Sequence, residues 1–295
     1  PLRYTAACVF LLMLGVSAGL FDVPLAAFMQ DRSPREHRGS ILAASNLLTF
    51  SGMLIASGAY WLLRTPVNGQ ELFSSRQIFL LCGLATIPVF IYIIFEIPFA
   101  TIKFFAWLVS HSAYRIRLYQ RENLPEHGGA LLAPNHISWA DGVLMFATST
   151  RPVRMIIDGT MLTNWWTRGL VKIMGGIPIR NTPKAARNAI ETAREALRNG
   201  ELVCIFPEGG ITRSGQLMSF KPGMLEIQRG TGAPIIPVYL DELWGSIFSF
   251  RGGRFFWKWP SAWPRAMRRW FGKPLHEPKS AFEVRQAVQE LGADA

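Results

Sequence analysis

The chain has 295 residues, of which 49% are hydrophobic and only 17% charged, against about 25% charged in an ordinary soluble domain. The formal net charge of +11 is unevenly placed: residues 1–100 hold six Lys and Arg against five Asp and Glu, while residues 101–295 hold 25 against 15. A nearly neutral apolar part followed by a basic part argues against an evenly charged soluble protein, and the spacing of Cys8, Cys82 and Cys204 suits neither a disulfide framework nor zinc.

Three apolar stretches come first, residues 4–29, 41–63 and 78–95. Each approaches the ~20 residues that cross a bilayer core, so three membrane spans are expected. Asp22 is either a functional group within its span or a group at the interface. The second span carries small residues, Ala43, Ala44, Ser45, Gly52 and Gly58 among them, which let helices approach closely in lipid. Arg32, Arg35 and Arg38 lie in the first connection, and Lys103, Arg115, Arg117 and Arg121 follow the third span. By the positive-inside rule, that connection and everything after residue 100 are expected on the cytoplasmic side. The chain opens at Pro1 inside a helical pattern and reads as an excerpt of a longer protein.

Residues 99–114 are rich in Phe, Trp and Leu, with Lys103 and His111 interspersed. This fits a helix lying in the membrane interface, or the first helix of the following domain. Beyond it, β-like runs at 130–133, 153–157, 177–179, 202–206 and 235–240 alternate with helical patterns at 141–148, 162–174, 183–199 and 223–229. Such alternation predicts an α/β domain, a mixed sheet covered by helices. A short strand at 117–120, a core strand at 267–271 and a closing helix at 281–291 complete it. Residues 251–273 mix seven Lys and Arg with seven Phe and Trp, which suits an anionic membrane surface. Next to three spans this composition does not point to nucleic acid.

The chemistry-bearing residues follow the β-like runs. His136 lies five residues before Asp141. A carboxylate in reach of an imidazole holds its tautomer and stabilises its protonated form, leaving the other nitrogen as a general base. Ser138 is a possible nucleophile, but no Gly-x-Ser-x-Gly elbow surrounds it. Gly176-Ile177-Pro178-Ile179-Arg180 ends in a side chain suited to phosphate. Pro207-Glu208-Gly209 opens a loop with glycine freedom, and Arg213 adds a second cation.

Taken together, Asn-His-x-Ser-x-x-Asp, Gly-Ile-Pro-Ile-x-Arg, Phe-Pro-Glu-Gly-x-x-x-Arg and Ala233-Pro234-Ile235-Ile236-Pro237-Val238 resemble the four ordered blocks of the glycerolipid acyltransferases, the 1-acylglycerol-3-phosphate acyltransferase type. Gly210 departs from the pattern, standing where that family often has Thr or Ser. The resemblance implies that His136 is the base and Asp141 its orienting acid. It further implies that Gly176, Ile177, Pro178, Arg180, Pro207, Glu208, Gly209 and Arg213 form the acceptor site. The donor would be acyl-CoA or acyl carrier protein, the acceptor a lysophosphatidate or other lysophospholipid of the membrane, and no metal or bound cofactor would be needed.

Phe28-Met29-Gln30-Asp31-Arg32-Ser33-Pro34, followed by Arg38-Gly39, resembles the loop before the penultimate helix of a major facilitator superfamily transporter. Residues 1–98 would then be the last three helices of a lysophospholipid-type transporter, and 99–295 an acyltransferase domain on the cytoplasmic face of the inner membrane. The whole resembles bacterial transporter–acyltransferase fusions, in which an acyl-activating synthetase often follows. The competing reading is a transporter whose C-terminal domain only binds lipid or regulates.

Overall fold

Continuous apolar runs about 20 residues long make helices that are hydrophobic on every side, and the chain opens with three. The computed structural model describes residues 2–34, 36–67, 70–71, 73–180, 182–253, 258–259 and 263–293. The chain divides into two units, Pro1–Ile91 and Tyr92–Ala295.

The first unit holds α1 (Leu2–Arg32), α2 (Arg38–Arg64) and most of α3 (Ser75–Glu96). Within them, Tyr4–Ala27, Arg38–Arg64 and Ser75–Glu96 are long and apolar enough to cross a membrane. Leu47, Leu48, Leu54 and Phe79 are all exposed, as suits side chains that face hydrocarbon. Asp22 is exposed too, toward one end of its stretch. Between α2 and α3, β1 (Pro66–Val67) pairs antiparallel with β2 (Gln70–Glu71).

The second unit begins with α4 (Pro98–Ala113), which runs directly into β3 (Tyr114–Tyr119). The strands that follow are β4 (Ala130–Pro134), β5 (Val153–Asp158), β6 (Ile177–Ile179), β7 (Leu202–Cys204), β8 (Ile235–Asp241) and β9 (Arg265–Phe271). They form one seven-stranded sheet in the order β3-β9-β8-β4-β7-β5-β6. From β8 to β6 the pairing is parallel, whereas β9 is antiparallel to β8 and β3 is parallel to β9. The sheet is therefore mixed, as its alternating pattern predicted.

Parallel strands covered on both faces read as unbroken apolar runs. β4 is buried at all five positions and lies mid-sheet. On one face, α5 (Ala140–Thr148) packs with α4 over Leu132, Met155 and Met267. On the other, α7 (Pro183–Arg198), α8 (Gly223–Gln228) and α9 (Ala281–Ala293) cover Leu131, Val203 and Ile235. The helix α7 starts where its sequence says: Thr182 caps it by accepting from the Ala185 N–H at 3.4 Å, and Pro183 opens its first turn. Gly129 lets the chain pass against the Leu197 backbone, where any Cβ would overlap it, and so brings β4 beneath α7.

Several boundaries differ from the sequence reading. The strand expected over 202–206 stops at Cys204, because Phe206 and Pro207 turn out of the ladder into the loop that reaches His136. The helix expected from 162 is α6 (Trp165–Ile173), which follows a short 3₁₀ turn at Gly159–Met161. The basic aromatic stretch at 251–273 is only partly a free surface. Lys258 donates to the Ser249 and Arg251 carbonyls, Arg265 to the Glu242 and Trp244 carbonyls, and Arg268 pairs with Glu242. Arg269 is buried, and Trp270 stacks on Tyr119 at 4.9 Å. Arg254, Phe255, Phe256 and Trp257 lie outside the described residues.

Candidate active site

Ligand sites in open α/β sheets gather at the carboxyl ends of the parallel strands, and the motif residues are at that edge. β4 ends at Pro134 and delivers Asn135 and His136. Asn135 is buried; its Nδ2 donates to the Leu240 carbonyl at 3.0 Å and its Oδ1 accepts from the Leu240 N–H at 2.7 Å. That pair of bonds ties the loop to β8. The His136 N–H donates to Glu208 Oε1 at 2.7 Å, and its carbonyl accepts from the Thr212 N–H at 2.9 Å. Its ring stacks on Phe206 with centroids 4.0 Å apart. The imidazole is thus held along its backbone and on one face.

His136 Nδ1 lies 2.9 Å from Asp141 Oδ2. Asp141 sits in the first turn of α5, and its spacing from His136 lets the loop fold back on it. The N–H groups of Ile137 and Ser138 donate to the same oxygen at 2.7 and 2.8 Å. The carboxyl is fully buried, and Oδ1 has no partner among the described residues. Burial pushes Asp141 above the ordinary carboxylate range, while the His136 imidazole and the two backbone N–H groups pull it back. Three donors converging on Oδ2 suit a carboxylate, and with Nδ1 donating to it, Nε2 of His136 is the nitrogen left to take a proton.

Ser138 is fully buried; its Oγ accepts from the Ala140 N–H at 3.1 Å and faces Ser246 Oγ at 3.4 Å. This hydroxyl serves the loop and has no path to a substrate carbonyl.

The structure brings Glu208 to the backbone of His136. Glu208 is 5% exposed, and its Oε2 accepts from the Met218 N–H at 2.9 Å while Oε1 holds the His136 N–H. Both oxygens accept from backbone N–H groups, one of them that of His136. Burial pushes Glu208 above the ordinary range, opposed by those two N–H bonds. Pro207 is buried, and its carbonyl accepts from the Lys221 N–H at 2.8 Å. Gly209 has φ +72°, and a Cβ there would lie 2.7 Å from Lys221 Cε. The Lys221 side chain therefore crosses the loop at its glycine. Arg213 lies with its guanidinium 5.5 Å over the Phe250 ring.

Arg180 follows β6 and is exposed. β6 stands three strands from β4, about 14 Å at ~4.8 Å per strand, a gap that a lysophospholipid head group and a long Arg side chain can bridge. Arg180 lies across Gly159 at the end of β5, where any Cβ would be 2.6 Å from Arg180 Cγ. Gly176 is equally tight against Val171 (2.7 Å to its Cγ1), Ile177 is a core residue, and Pro178 is exposed. These three shape the strand that presents Arg180. Sequence reasoning missed Lys221 and Gly159, and gave no role to Asn135 and Phe206, although both stand in the quoted motifs. Among the described residues, no group of three His, Cys, Asp or Glu side chains converges to hold a metal.

A buried acid, an imidazole whose Nε2 is left to take a proton and cations along the same edge are chemically suited to deprotonating a hydroxyl beside an anionic group. Residues 115–241 match the family model described as Acyltransferase. The chain is 29% identical over 142 residues to the 1-acyl-sn-glycerol-3-phosphate acyltransferase of Borreliella burgdorferi, covering 48% of this chain and 56% of that one. It is 26% identical over 165 residues to the Bacillus subtilis enzyme of the same name, covering 55% and 74%. Among solved structures it resembles the 1-acyl-sn-glycerophosphate acyltransferase PlsC of Thermotoga maritima, with a TM-score of 0.49 and 21% identity, over 65% of this chain and 76% of that chain. The chain thus spans little more than half the length of the Borreliella relative.

Proposed function

We propose that this chain transfers a fatty acyl group from acyl-CoA or acyl carrier protein to the free hydroxyl of 1-acylglycerol-3-phosphate or another lysophospholipid, such as 2-acylglycerophosphoethanolamine. The observation that carries the reading is the 2.9 Å contact of His136 Nδ1 with the buried Asp141. His136 Nε2 takes the acceptor's hydroxyl proton as its oxygen attacks the thioester carbonyl. The carbon–sulfur bond then breaks, and the leaving thiolate takes the proton from the imidazolium. Asp141 holds the tautomer and the charge that forms on the ring. Glu208, Thr212 and Phe206 fix the imidazole, while Arg180, Lys221 and Arg213 attract the acceptor's phosphate and the anionic groups of the donor.

The N-terminal part extends the proposal. Residues 1–98 are assigned as the last three helices of a lysophospholipid-type transporter, supported by the loop sequence around Asp31-Arg32 and the small residues of the second span. Residues 99–295 are the acyltransferase domain, on the cytoplasmic side of the inner membrane, supported by the alternation of positive charge. In such a fusion, imported lysolipid reaches the acylating site within the same protein, and a synthetase supplies the activated acyl group.

The test is a substrate panel on the full chain in detergent: lysophosphatidate and lysophosphatidylethanolamine, each with CoA and carrier-protein donors. The wild type is expected to acylate at least one acceptor. His136→Ala is expected to lose about 10² or more in rate, the usual scale of general-base catalysis, with its fold kept. A variant as active as the wild type would overturn the assignment.

A further inference from the structure

The edge of the sheet away from His136 carries a cavity that none of the motif residues lines. It has a volume of about 720 Å³. One wall is α4, through Phe99, Phe104 and Trp107; the floor is Ile116 and Leu118 of β3; the far end is closed by the last residues of α5 and by Arg121. Its place follows from the topology. β3 runs opposite to β4, so Arg121, just past its carboxyl end, lies at the amino edge of the parallel strands. Thr148, at the end of α5, lies at that edge too, about 10 Å along the helix from Asp141 at 1.5 Å per residue.

The cavity is apolar on one side and cationic on the other. Lys103, His111 and Arg121 line it, and no Asp or Glu does. Behind it lies Arg269, 1% exposed, on the strand position paired with Leu118. Its guanidinium donates to the Thr148 carbonyl at 3.4 Å and to the Met145 sulfur at 3.2 Å, and lies 4.7 Å over the Phe271 ring. Its Nε has no partner, and no carboxylate lies within 4.0 Å of Lys103, Arg121 or Arg269 among the described residues. Arg121 is close enough for Arg269 to feel its like charge, and burial lowers the pKa of Lys103. Three cations with no carboxylate at ion-pair distance among the described residues, one of them inside the protein, favour an anion at the amino edge. An anion that enters with its own apolar chain answers both halves of the cavity.

We propose that this groove binds one anionic glycerophospholipid of the membrane, with its phosphate between Lys103 and Arg121 and the upper part of one chain along Phe99, Phe104 and Trp107. Two features favour a membrane lipid over free phosphate. Phe104 and Trp107 are 56% and 44% exposed, so the wall opens outward as an apolar surface. The wall helix also begins at Pro98, two residues after the third candidate span ends at Glu96. The site would fasten the domain to an anionic leaflet while leaving the carboxyl edge free for substrates. It does not depend on the acyl-transfer reading, and its test does not measure acyl transfer.

The experiment uses the full chain in phosphatidylcholine nanodiscs containing a trace of diazirine-labelled phosphatidylglycerol, with crosslinked peptides mapped by mass spectrometry. Label is expected on residues 99–121 and 147–150, displaced by unlabelled phosphatidylglycerol but not by added phosphatidylcholine or millimolar inorganic phosphate. Lys103→Gln with Arg121→Gln should lower that label at least fivefold, and Arg187→Gln on the exposed side of α7 should leave it unchanged. Label that maps elsewhere, competition by phosphatidylcholine equal to that by phosphatidylglycerol, or a folded double variant labelled as strongly as the wild type would each overturn the proposal. Should the double variant unfold, the mapping and competition on the wild type decide alone.

Discussion

Glu208→Gln separates a carboxylate that positions the base from one that binds the acceptor. In the wild type, one oxygen accepts from the His136 N–H at 2.7 Å and the other from the Met218 N–H at 2.9 Å. A glutamine fills the same space but turns an NH₂ toward one of these donors, leaving a buried N–H unpaired. Such a group costs about 1–3 kcal/mol. Burial already works against the charged form of Glu208, so removing the charge recovers part of that and the net loss falls toward the lower end. At roughly 2–4 °C per kcal/mol for a domain of this size, melting should drop by about 2–4 °C. The kinetic effect should be larger, because displacing a base by ~1 Å can cost about 10²-fold in rate. The expected result is a kcat lowered by about 10- to 100-fold, with KM for the lysolipid within twofold of the wild type. The assay is initial-rate acyl transfer at varied acceptor, with thermal unfolding alongside. An acceptor KM raised tenfold at unchanged melting temperature would refute the clamp and return Glu208 to the acceptor site.

The remaining expectations are briefer. Arg180→Ala should raise the acceptor KM about tenfold, the loss of one charge-assisted bond worth ~1.5 kcal/mol, and leave the donor KM unchanged; equal effects on both substrates would remove Arg180 from the acceptor's phosphate. Asn135→Ala strands the Leu240 N–H and carbonyl in the interior and should cost about 2–4 kcal/mol in urea unfolding; a loss under ~0.5 kcal/mol would show that the loop is not held to β8 this way. Arg269→Met replaces a buried cation lacking a carboxylate with an apolar chain, so unfolding should show no loss of stability or a gain; a loss above about 2 kcal/mol would mean that the guanidinium contacts hold α5 in place.

The fold was legible in the sequence where one force decides alone. The all-buried β4 and the capped, Ala-faced α7 are set by apolar period and end signals, and both appear close to their expected places. The approach of Asp141 to His136 was legible because five residues of loop and first helical turn can close on themselves. What local pattern could not show is contact across the sheet. Nothing near Glu208 says that its oxygens will meet the backbone of His136, 72 positions away, and nothing near Phe206 says that its ring will lie beneath the imidazole. The basic aromatic tail was legible only in part: its core strand at 267–271 was expected, and the partners of its cations were not. Composition counts cations but cannot see that Arg265 and Lys258 are folded onto carbonyls, or that Arg269 points inward from a strand whose alternation hides it.

The clamp on His136 also sets a time at which its loop is complete. The loop at the end of β4 is completed by Glu208, Thr212 and Leu240, the last of them 105 positions beyond Asn135. At a synthesis rate of about 5–20 residues per second, roughly 5–20 s separate the emergence of the histidine from that of the strand that secures it. During that interval the apolar N-terminal helices are already made, while the base has its acid but not its clamp. A ribosome paused between residues 238 and 240 therefore holds a nascent chain with all four sequence motifs and a His136 loop not yet fastened to β8.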